Sequence, residues 1–229
     1  GRLAPASVVR YLQETAWNNA RALGLAFDPR QGGPFAWVLS RLRLQMTRHP
    51  AWGERLSMET WPLGVDRMLA LRDFRLLDAG GAECGRASSG WLIIDAAQRR
   101  PRRPEQAMAV LATFAGPEPL LGVPGRLVAA LPPCDERALR VHYTDIDVNG
   151  HVNNVRYFEW VLDSLPWQRL AAAQVREVEA SFLSEALPGD GVCVRSVDGP
   201  SESRHTVVDL EGDREIYRLR LGWQPRDGA

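Results

Sequence analysis

The sequence predicts an α+β protein made of two copies of one unit, in which a long helix is wrapped by an antiparallel sheet. Two observations support this prediction. An amphipathic helical pattern followed by four strand-like segments occurs in the first half, and the same order recurs in the second half. A sheet with one apolar face must also cover that face, and one long helix per sheet meets this requirement.

The first predicted helix covers residues 5–24. Val8 and Leu12 recur on one face of it, which is typical of a helix packed on a core. Ser7 is the expected N-cap because its side chain can accept from a free helix N–H group. Gly24 is the expected stop because glycine readily adopts the left-handed conformation that ends helices.

Strands follow each predicted helix. In the first half they are expected at residues 35–48, 54–61, 67–78 and 83–95, with Ala79-Gly80-Gly81-Ala82 as an antiparallel turn. In the second half a strand over 138–144 leads to a helix over 151–164, and strands follow at 174–186, 191–197, 203–210 and 215–223. We therefore predict an N-terminal domain over 1–98, a linker over 99–135 with a short helix near 105–114, and a C-terminal domain over 136–229.

Composition excludes several classes of function. The formal net charge is zero, which argues against bulk nucleic-acid binding. The sequence contains no apolar run of about 18 residues, so no membrane-spanning helix is predicted. The three cysteines (Cys84, Cys134, Cys193) are far apart and form no CxxC pair, so neither a zinc site nor a disulfide framework is predicted. A reducing, cytoplasmic location is the simplest interpretation. All 28 basic residues are arginine, which excludes lysine-based catalysis.

One segment, residues 143–160, concentrates polar chemistry where a strand is expected to turn into a helix. Its first part, residues 145–154, carries two carboxylates, three carboxamides and one imidazole: Asp145, Asp147, Asn149, Asn153, Asn154 and His151. Removing each such group from water without a partner costs roughly 1–3 kcal/mol, so a reaction centre would explain the cluster. An Asx-rich turn that only caps the helix is the structural alternative, and it is the expected role of Asn153 and Asn154.

The segment from Asp145 to Tyr157 resembles the signature of the acyl-ACP thioesterases, a family of double-hotdog enzymes. Other segments of the first half resemble the same family in the same order: Tyr11-Leu12-Gln13-Glu14-Thr15-Ala16, Trp37-Val38-Leu39-Ser40-Arg41, Thr60-Trp61-Pro62, Arg72-Asp73-Phe74 and Trp91-Leu92-Ile93-Ile94-Asp95. The resemblance implies a tandem hotdog fold, in which the N-terminal hotdog holds the acyl chain and the C-terminal hotdog carries the catalytic residues. It also implies a strand before Gly1, outside this sequence.

Carried over by position, the family's catalytic residues fall on Asp147, Asn149 and His151 in the polar turn and on Glu185 after the helix. Plant members have a cysteine directly after that glutamate, where this chain has Ala186. A mechanism that needs a thiol at this position is therefore excluded. The resemblance implies neither a cofactor nor a metal ion.

The residue types suit hydrolysis of a thioester. Glu185 is the preferred general base, with His151 and Asn149 positioning water or substrate and Asp147 orienting one of them. Free N–H groups at the helix start would add donors for an oxyanion. An exchange of roles stays open, since Asp147 is also able to act as the base or as an attacking carboxylate.

The resemblance implies release of free fatty acid from acyl-ACP, which ends fatty acid synthesis. The expected partner is an acyl carrier protein with a phosphopantetheine-linked acyl chain, and pairing of hotdog sheet edges would give a homodimer. Two alternatives remain. An acyl-CoA thioesterase of the hotdog class shares the pattern Tyr-x-Asp-x-Asp-x-x-Gly, whereas a non-catalytic acyl-binding regulator would need a DNA-binding helix pair and a basic face, which the sequence does not show.

Overall fold

The structure is a computed structural model that describes residues 1–26, 34–103, 105–114, 119–129 and 135–226. The chain divides into two compact units, Gly1–Pro124 and Gly125–Ala229. The predicted domain limits stay a prediction, and the division after Pro124 falls inside the predicted linker. Cys84 and Cys193 are buried free thiols, whereas Cys134 lies outside the described residues.

The first unit contains one long helix followed by four long strands, as the sequence predicts. The elements are α1 (Pro5–Ala22), β1 (Phe35–Met46), β2 (Leu56–Asp66), β3 (Leu69–Asp78), β4 (Glu83–Asp95), β5 (Arg100–Arg102) and α2 (Glu105–Ala112). The long strands pair antiparallel in the order β2-β3-β4-β1. On α1 the side chains of Val8, Val9 and Leu12 are buried, so one face of the helix belongs to the core.

The start of α1 corrects the prediction for Ser7. The N-cap is Ala4, which makes no side-chain capping bond, and the Ser7 N–H donates to the Ala4 carbonyl at 3.0 Å. Pro5 explains the shift, because its fixed φ suits the first helical position and it has no N–H to satisfy. The predicted stop at Gly24 is confirmed, since this residue follows the end of the helix with φ +69°.

The segment predicted as linker is partly folded within the first unit. Strand β5 pairs with the end of β4, and the predicted short helix is present as α2. Ala107 and Leu111 of α2 pack in a buried cluster with Leu25, Ala70 and Ile93. Helix α2 therefore contributes to the core of the first unit and β5 extends its sheet, so these elements do more than connect two domains.

The second unit repeats the plan. Its elements are β6 (Asp135–Arg140), α3 (Asn154–Ser164), α4 (Trp167–Ala172), β7 (Ala173–Phe182), β8 (Gly191–Asp198), β9 (Glu202–Asp209) and β10 (Glu215–Pro225). The antiparallel order is β7-β10-β9-β8-β6. Counting strands after the helix, both units have the order first, fourth, third, second. The internal repeat predicted from the sequence is therefore confirmed at the level of topology.

Two boundaries in the second unit differ from the prediction in ways that concern the polar residues. Helix α3 begins at Asn154 rather than at residue 151, and β7 ends at Phe182 rather than at residue 186. Residues 183–186 leave the sheet after the Leu183 and Ser184 N–H groups share the Ile216 carbonyl, at 2.9 and 3.2 Å. None of the helices in the described part of the chain is both long and apolar enough to cross a membrane.

A buried histidine lies within the second sheet. His205 on β9 is 1% exposed, and its Nδ1 and Nε2 atoms lie 2.7 Å from Ser196 Oγ and 2.8 Å from Ser203 Oγ. Trp223 Nε1 donates to the same Ser203 Oγ at 2.8 Å. Burial lowers the pKa of His205 to about 4, from an ordinary value of 6.5. The imidazole is therefore neutral in the folded protein at neutral pH.

This histidine predicts a loss of stability in mild acid. Between pH 6.5 and about 4 the unfolded chain binds a proton at His205 that the folded chain does not, so the free energy of unfolding decreases as the pH is lowered through this range. The shift corresponds to about 3 kcal/mol in the free energy of unfolding. Urea unfolding from pH 7 to 4 checks this. His205→Asn should flatten the pH dependence, whereas His142→Asn, at an exposed position, should leave it unchanged.

Candidate active site

The polar segment of the second unit folds as a compact turn ahead of α3. A single 3₁₀ turn spans Tyr143–Asp145, and Ile146 then pairs with Val152 in an isolated antiparallel bridge. The turn between them closes when the Asp147 N–H donates to the His151 carbonyl at 3.0 Å. Gly150 has φ +83°, a conformation that favours glycine, so the sequence suits this reversal.

Asp145 serves the framework of this turn. Its side chain is buried at 1% exposure, and its Oδ1 accepts from Arg156 Nε and lies 2.7 Å from Arg156 Nη2. Its Oδ2 accepts from the His142 N–H at 2.8 Å. Arg156 also pairs with Glu159 on α3. This carboxylate therefore fastens the turn to the helix, which leaves Asp147 as the available acid of the segment.

Asp147, Asn149 and His151 share one loop. Asp147 Oδ1 accepts from the Asn149 N–H at 2.8 Å, and Oδ2 lies 3.5 Å from Asn149 Nδ2. His151 Nδ1 lies 3.8 Å from Asp147 Oδ1, which is beyond hydrogen-bond distance but within reach of an ion pair. Asp147 therefore lies next to both other side chains, and its one short hydrogen bond is to the backbone of Asn149. This proximity is compatible with the orienting role considered from the sequence.

More of the backbone N–H groups at the start of α3 are already hydrogen-bonded than the sequence predicts. Asn153 is the N-cap, and its Oδ1 accepts from the Val155 N–H at 2.9 Å. Its carbonyl accepts from the Arg156 N–H at 2.9 Å. The structural role expected for Asn153 is confirmed. Two helix N–H groups are thus occupied, and stabilisation of an oxyanion depends more on the side chains of Asn149 and His151.

The chain brings Glu185 beside this loop from a distant part of the sequence. After β7 ends, the segment 183–186 passes the polar turn, and the Val152 N–H donates to the Ala186 carbonyl at 3.0 Å. Val152 directly follows His151, and Ala186 directly follows Glu185. The Glu185 side chain is half-buried, so part of it is accessible from outside the protein. The backbone therefore brings together the two segments that carry all four predicted residues.

Two further residues lie at this point. Tyr157 on α3 is 2% exposed, and its Oη accepts from the Ala186 N–H at 2.9 Å. Burial raises the pKa of Tyr157 to about 12, so the phenol stays neutral. Arg214, in the turn before β10, donates from Nη1 to the Glu185 carbonyl at 3.2 Å and to Ser184 Oγ. Tyr157 lies in the sequence motif, and a buried tyrosine hydroxyl usually has a polar partner, so the sequence offered an indication of its role. Nothing in the sequence distinguishes Arg214.

Within the residues that the structure describes, no group of three or more histidine, cysteine, aspartate or glutamate side chains is arranged to hold a metal ion. Ala186 is fully buried and carries no reactive atom. The chemistry available in the turn is therefore that of carboxylates, an imidazole and an amide.

Two family models match the chain. The acyl-ACP thioesterase N-terminal domain matches residues 2–110, and the acyl-ACP thioesterase C-terminal domain matches residues 133–225. The chloroplastic palmitoyl-acyl carrier protein thioesterase of Cuphea hookeriana is 27% identical, over 97% of this chain and 58% of its own length. Oleoyl-acyl carrier protein thioesterase 1 of Arabidopsis thaliana is 28% identical, over 97% and 71%. The chain thus spans less than two thirds of the Cuphea protein.

Solved structures show the same architecture. An acyl-ACP thioesterase from Bacteroides thetaiotaomicron matches with a TM-score of 0.87 at 26% identity, over 98% of this chain and 91% of that one. A 12:0-ACP thioesterase from Umbellularia californica matches with a TM-score of 0.85 at 22% identity, over the same shares of the two chains. These likenesses confirm the predicted α+β, tandem hotdog fold.

Proposed function

Because the chain belongs to the acyl-ACP thioesterase family, we propose that it hydrolyses fatty acyl-ACP to free fatty acid and holo-ACP. This reaction ends fatty acid synthesis on the carrier. The observation that supports it most is the convergence of two segments in the second unit. The Val152–Ala186 backbone hydrogen bond, 3.0 Å long, joins the segment of His151 to the segment of Glu185.

Glu185 is the general base in this proposal. A water molecule attacks the thioester carbonyl carbon while one of its protons passes to the Glu185 carboxylate. The new C–O bond forms as the carbonyl electron pair moves onto oxygen. Asn149 Nδ2 and the His151 ring are the donors proposed for this oxyanion. Collapse of the intermediate breaks the C–S bond, and the phosphopantetheine thiolate takes the proton back from Glu185.

Asp147 acts through its neighbours. Its Oδ1 accepts from the Asn149 N–H at 2.8 Å, and it lies 3.8 Å from His151 Nδ1. A carboxylate held by such a hydrogen bond is a poorer nucleophile than a free one, which favours the orienting role over direct attack. The orienting role fixes the Asn149 amide and the imidazole before substrate binds, and such preorganisation is a main source of electrostatic catalysis.

The two units differ at their helix starts, which supports a division of labour. Helix α3 follows the turn with His151 and is capped by Asn153, whereas α1 follows Ala4 without a side-chain cap. We assign the acyl chain to the first unit and the reaction to the second. Each methylene buried in such a pocket would contribute about 0.8 kcal/mol to binding.

The proposed partner is an acyl carrier protein that presents the acyl chain on its phosphopantetheine, and the proposed location is the cytoplasm. Acyl-CoA thioester hydrolysis is the second candidate, because the segment from Tyr143 to Gly150 fits the pattern shared with that class. A homodimer remains an expectation from the sequence. The charged, exposed residues of β6 at the end of the second sheet would disfavour pairing at that edge.

An acyl-ACP panel tests the proposed function. Turnover of matched acyl-ACP and acyl-CoA substrates from short to long chains is measured by release of free thiol, with the fatty acids identified. We expect hydrolysis of long-chain acyl-ACP with a higher kcat/KM than for the matched acyl-CoA. A preference for acyl-CoA would favour the second candidate, and binding without turnover of either would favour the regulator.

The same assay tests the polar turn. Asp147→Ala and His151→Ala should each lower kcat by about 10²-fold or more, because the second removes a proposed oxyanion donor and the first removes the carboxylate proposed to orient both donors. Both positions lie outside the fully buried core, so the melting temperature should change little. Asp163→Ala, at an exposed position on α3, is the matched control and should retain activity. Turnover like that of the wild type in both site variants would refute the assignment.

A further inference from the structure

We propose that Tyr157 and Arg214 hold the peptide unit between Glu185 and Ala186 at its two polar ends and thereby aim the Glu185 side chain. The inference rests on the proposed function, in which Glu185 is the base. Neither residue touches the reacting atoms in this account. Both are positioning residues that act through Glu185.

The first contact comes from the helix. Tyr157 Oη accepts from the Ala186 N–H at 2.9 Å. The ring itself is fixed, because it stacks on Tyr217 at a centroid distance of 5.6 Å and meets Trp160 edge-on at 5.3 Å. An acceptor held by two aromatic neighbours has little freedom to follow a moving backbone. The N–H end of the peptide is therefore tied to α3.

The second contact comes from the turn between β9 and β10. Arg214 Nη1 donates to the Glu185 carbonyl at 3.2 Å and also to Ser184 Oγ. Its Nη2 donates to Asp209 Oδ2 at 3.0 Å. Asp209 in turn accepts from the Glu211 N–H at 2.8 Å, so the guanidinium is anchored to a closed turn. The C=O end of the same peptide is therefore tied to the second sheet.

These contacts determine where the base points. A peptide unit is planar, so fixing its N–H and its C=O fixes the plane. That plane contains the Glu185 Cα atom and fixes the Cα–C bond about which ψ of Glu185 turns. On the other side of Glu185, the Ser184 N–H donates to the Ile216 carbonyl at 3.2 Å, so the direction of the Cα–Cβ bond relative to the loop is restrained from both sides. The adjacent Ala186 carbonyl accepts from the Val152 N–H at 3.0 Å, which connects the same segment to the residue after His151. The orientation of Glu185 relative to the polar turn is thus set from three sides.

Arg214 is the informative position for a test, because its side chain is 47% exposed. Ion pairs at such positions contribute little to stability, so its removal should leave the fold intact. A role in stability alone therefore predicts no large effect on turnover. A role in aiming the base predicts a loss of kcat, since a displacement of about 1 Å at a reacting group can cost about 10²-fold in rate.

The experiment compares Arg214→Ala and Arg214→Lys with Arg204→Ala. Arg204 is a matched control, because it lies on β9, is 52% exposed and pairs with Glu202. We expect Arg214→Ala to lower kcat by about 10- to 100-fold with KM within about twofold of the wild type, because binding is not its role. Arg214→Lys should recover part of the loss, and Arg204→Ala should match the wild type. A kcat like that of the wild type in Arg214→Ala would overturn the proposal.

A double-mutant comparison separates action through Glu185 from independent action. In a Glu185→Gln background, adding Arg214→Ala should lower kcat no further, because the base that it aims is already gone. An equal fold-loss in both backgrounds would overturn the proposal and assign Arg214 a separate role.

Amide exchange of Ala186, followed by nuclear magnetic resonance, provides a readout that does not depend on activity. Arg214→Ala and Tyr157→Phe should both accelerate this exchange, whereas Arg204→Ala should not. Unchanged exchange in both site variants would overturn the two-sided contact even if the enzyme is active. Absence of acyl-ACP hydrolysis by the wild type, together with accelerated exchange in the variants, would instead refute the proposed function and leave the contact in place.

Discussion

Replacement of Glu185 by glutamine lowers kcat for acyl-ACP hydrolysis by about 10²–10⁴-fold, the usual contribution of a general base. Glutamine has the shape of glutamate but is unable to take a proton from water. The backbone contacts of the residue, from Arg214 to its carbonyl and from the next N–H to Tyr157, do not involve the carboxylate. The fold should therefore be retained. Steady-state kinetics with a long-chain acyl-ACP measure the loss.

The control for this change is Glu211→Gln in the exposed turn between β9 and β10, which should turn over like the wild type. The competing assignment predicts the opposite pattern at the site. If Asp147 were the base, Asp147→Asn would abolish turnover while Glu185→Gln would retain most of it. That result would move the base into the polar turn and would also remove the purpose proposed for Arg214.

The largest loss of stability is expected for Asp145→Ala. This carboxylate is 1% exposed, and it accepts from Arg156 and from the His142 N–H. Removing one partner of a buried ion pair costs about 3 kcal/mol or more, because the other partner and a backbone donor lose their acceptor. Arg156 keeps its contact with Glu159, so we expect a loss close to about 3 kcal/mol rather than a larger one. Urea unfolding at pH 7 measures the change in the free energy of unfolding.

Asp163→Ala is again the control, since this aspartate lies on the exposed face of α3 and should change stability by less than about 0.5 kcal/mol. Asp145→Asn should be less harmful than alanine, because the amide still accepts a hydrogen bond. A free energy of unfolding for Asp145→Ala within 1 kcal/mol of the wild type (about the error of two such fits) would show that the turn does not depend on this pair.

The sequence was sufficient to predict the architecture because the periodic patterns are long. Strand β4 has the predicted limits, Glu83–Asp95, and the repeat of one helix and four strands is present in both units. The errors lie at element ends, where single residues decide. Ser7 was expected to cap α1, but Pro5 occupies the first helical position, so the N-cap is Ala4, three residues earlier, and it makes no side-chain cap.

The candidate site was predictable in part. The residues Asp147, Asn149 and His151 occur within one short segment, so a local turn suffices to bring them together. Glu185 was assigned through the family resemblance, and its approach depends on β7 ending at Phe182, which strand periodicity did not indicate. Residues that continue an apolar and polar alternation look like strand even where they have left the sheet.

The contacts around Glu185 were not predictable from local sequence. Tyr157 belongs to the motif, but its partner is a backbone N–H that lies 29 residues further along the chain. Arg214 reaches Glu185 across a similar separation, and it is one of 28 arginines with no pattern to distinguish it. Such pairings depend on how the β9–β10 turn packs on segment 183–186, which only the folded unit shows.

A single-turnover reaction in H₂¹⁸O, with enzyme in excess over acyl-ACP, tests most directly whether water is activated at Glu185. The predicted result is one ¹⁸O atom in every fatty acid released, with the peptides that contain Asp147 and Glu185 unlabelled by mass spectrometry. Unlabelled fatty acid together with ¹⁸O in either carboxylate would contradict it, because the oxygen in the product would then have come from an attacking side chain.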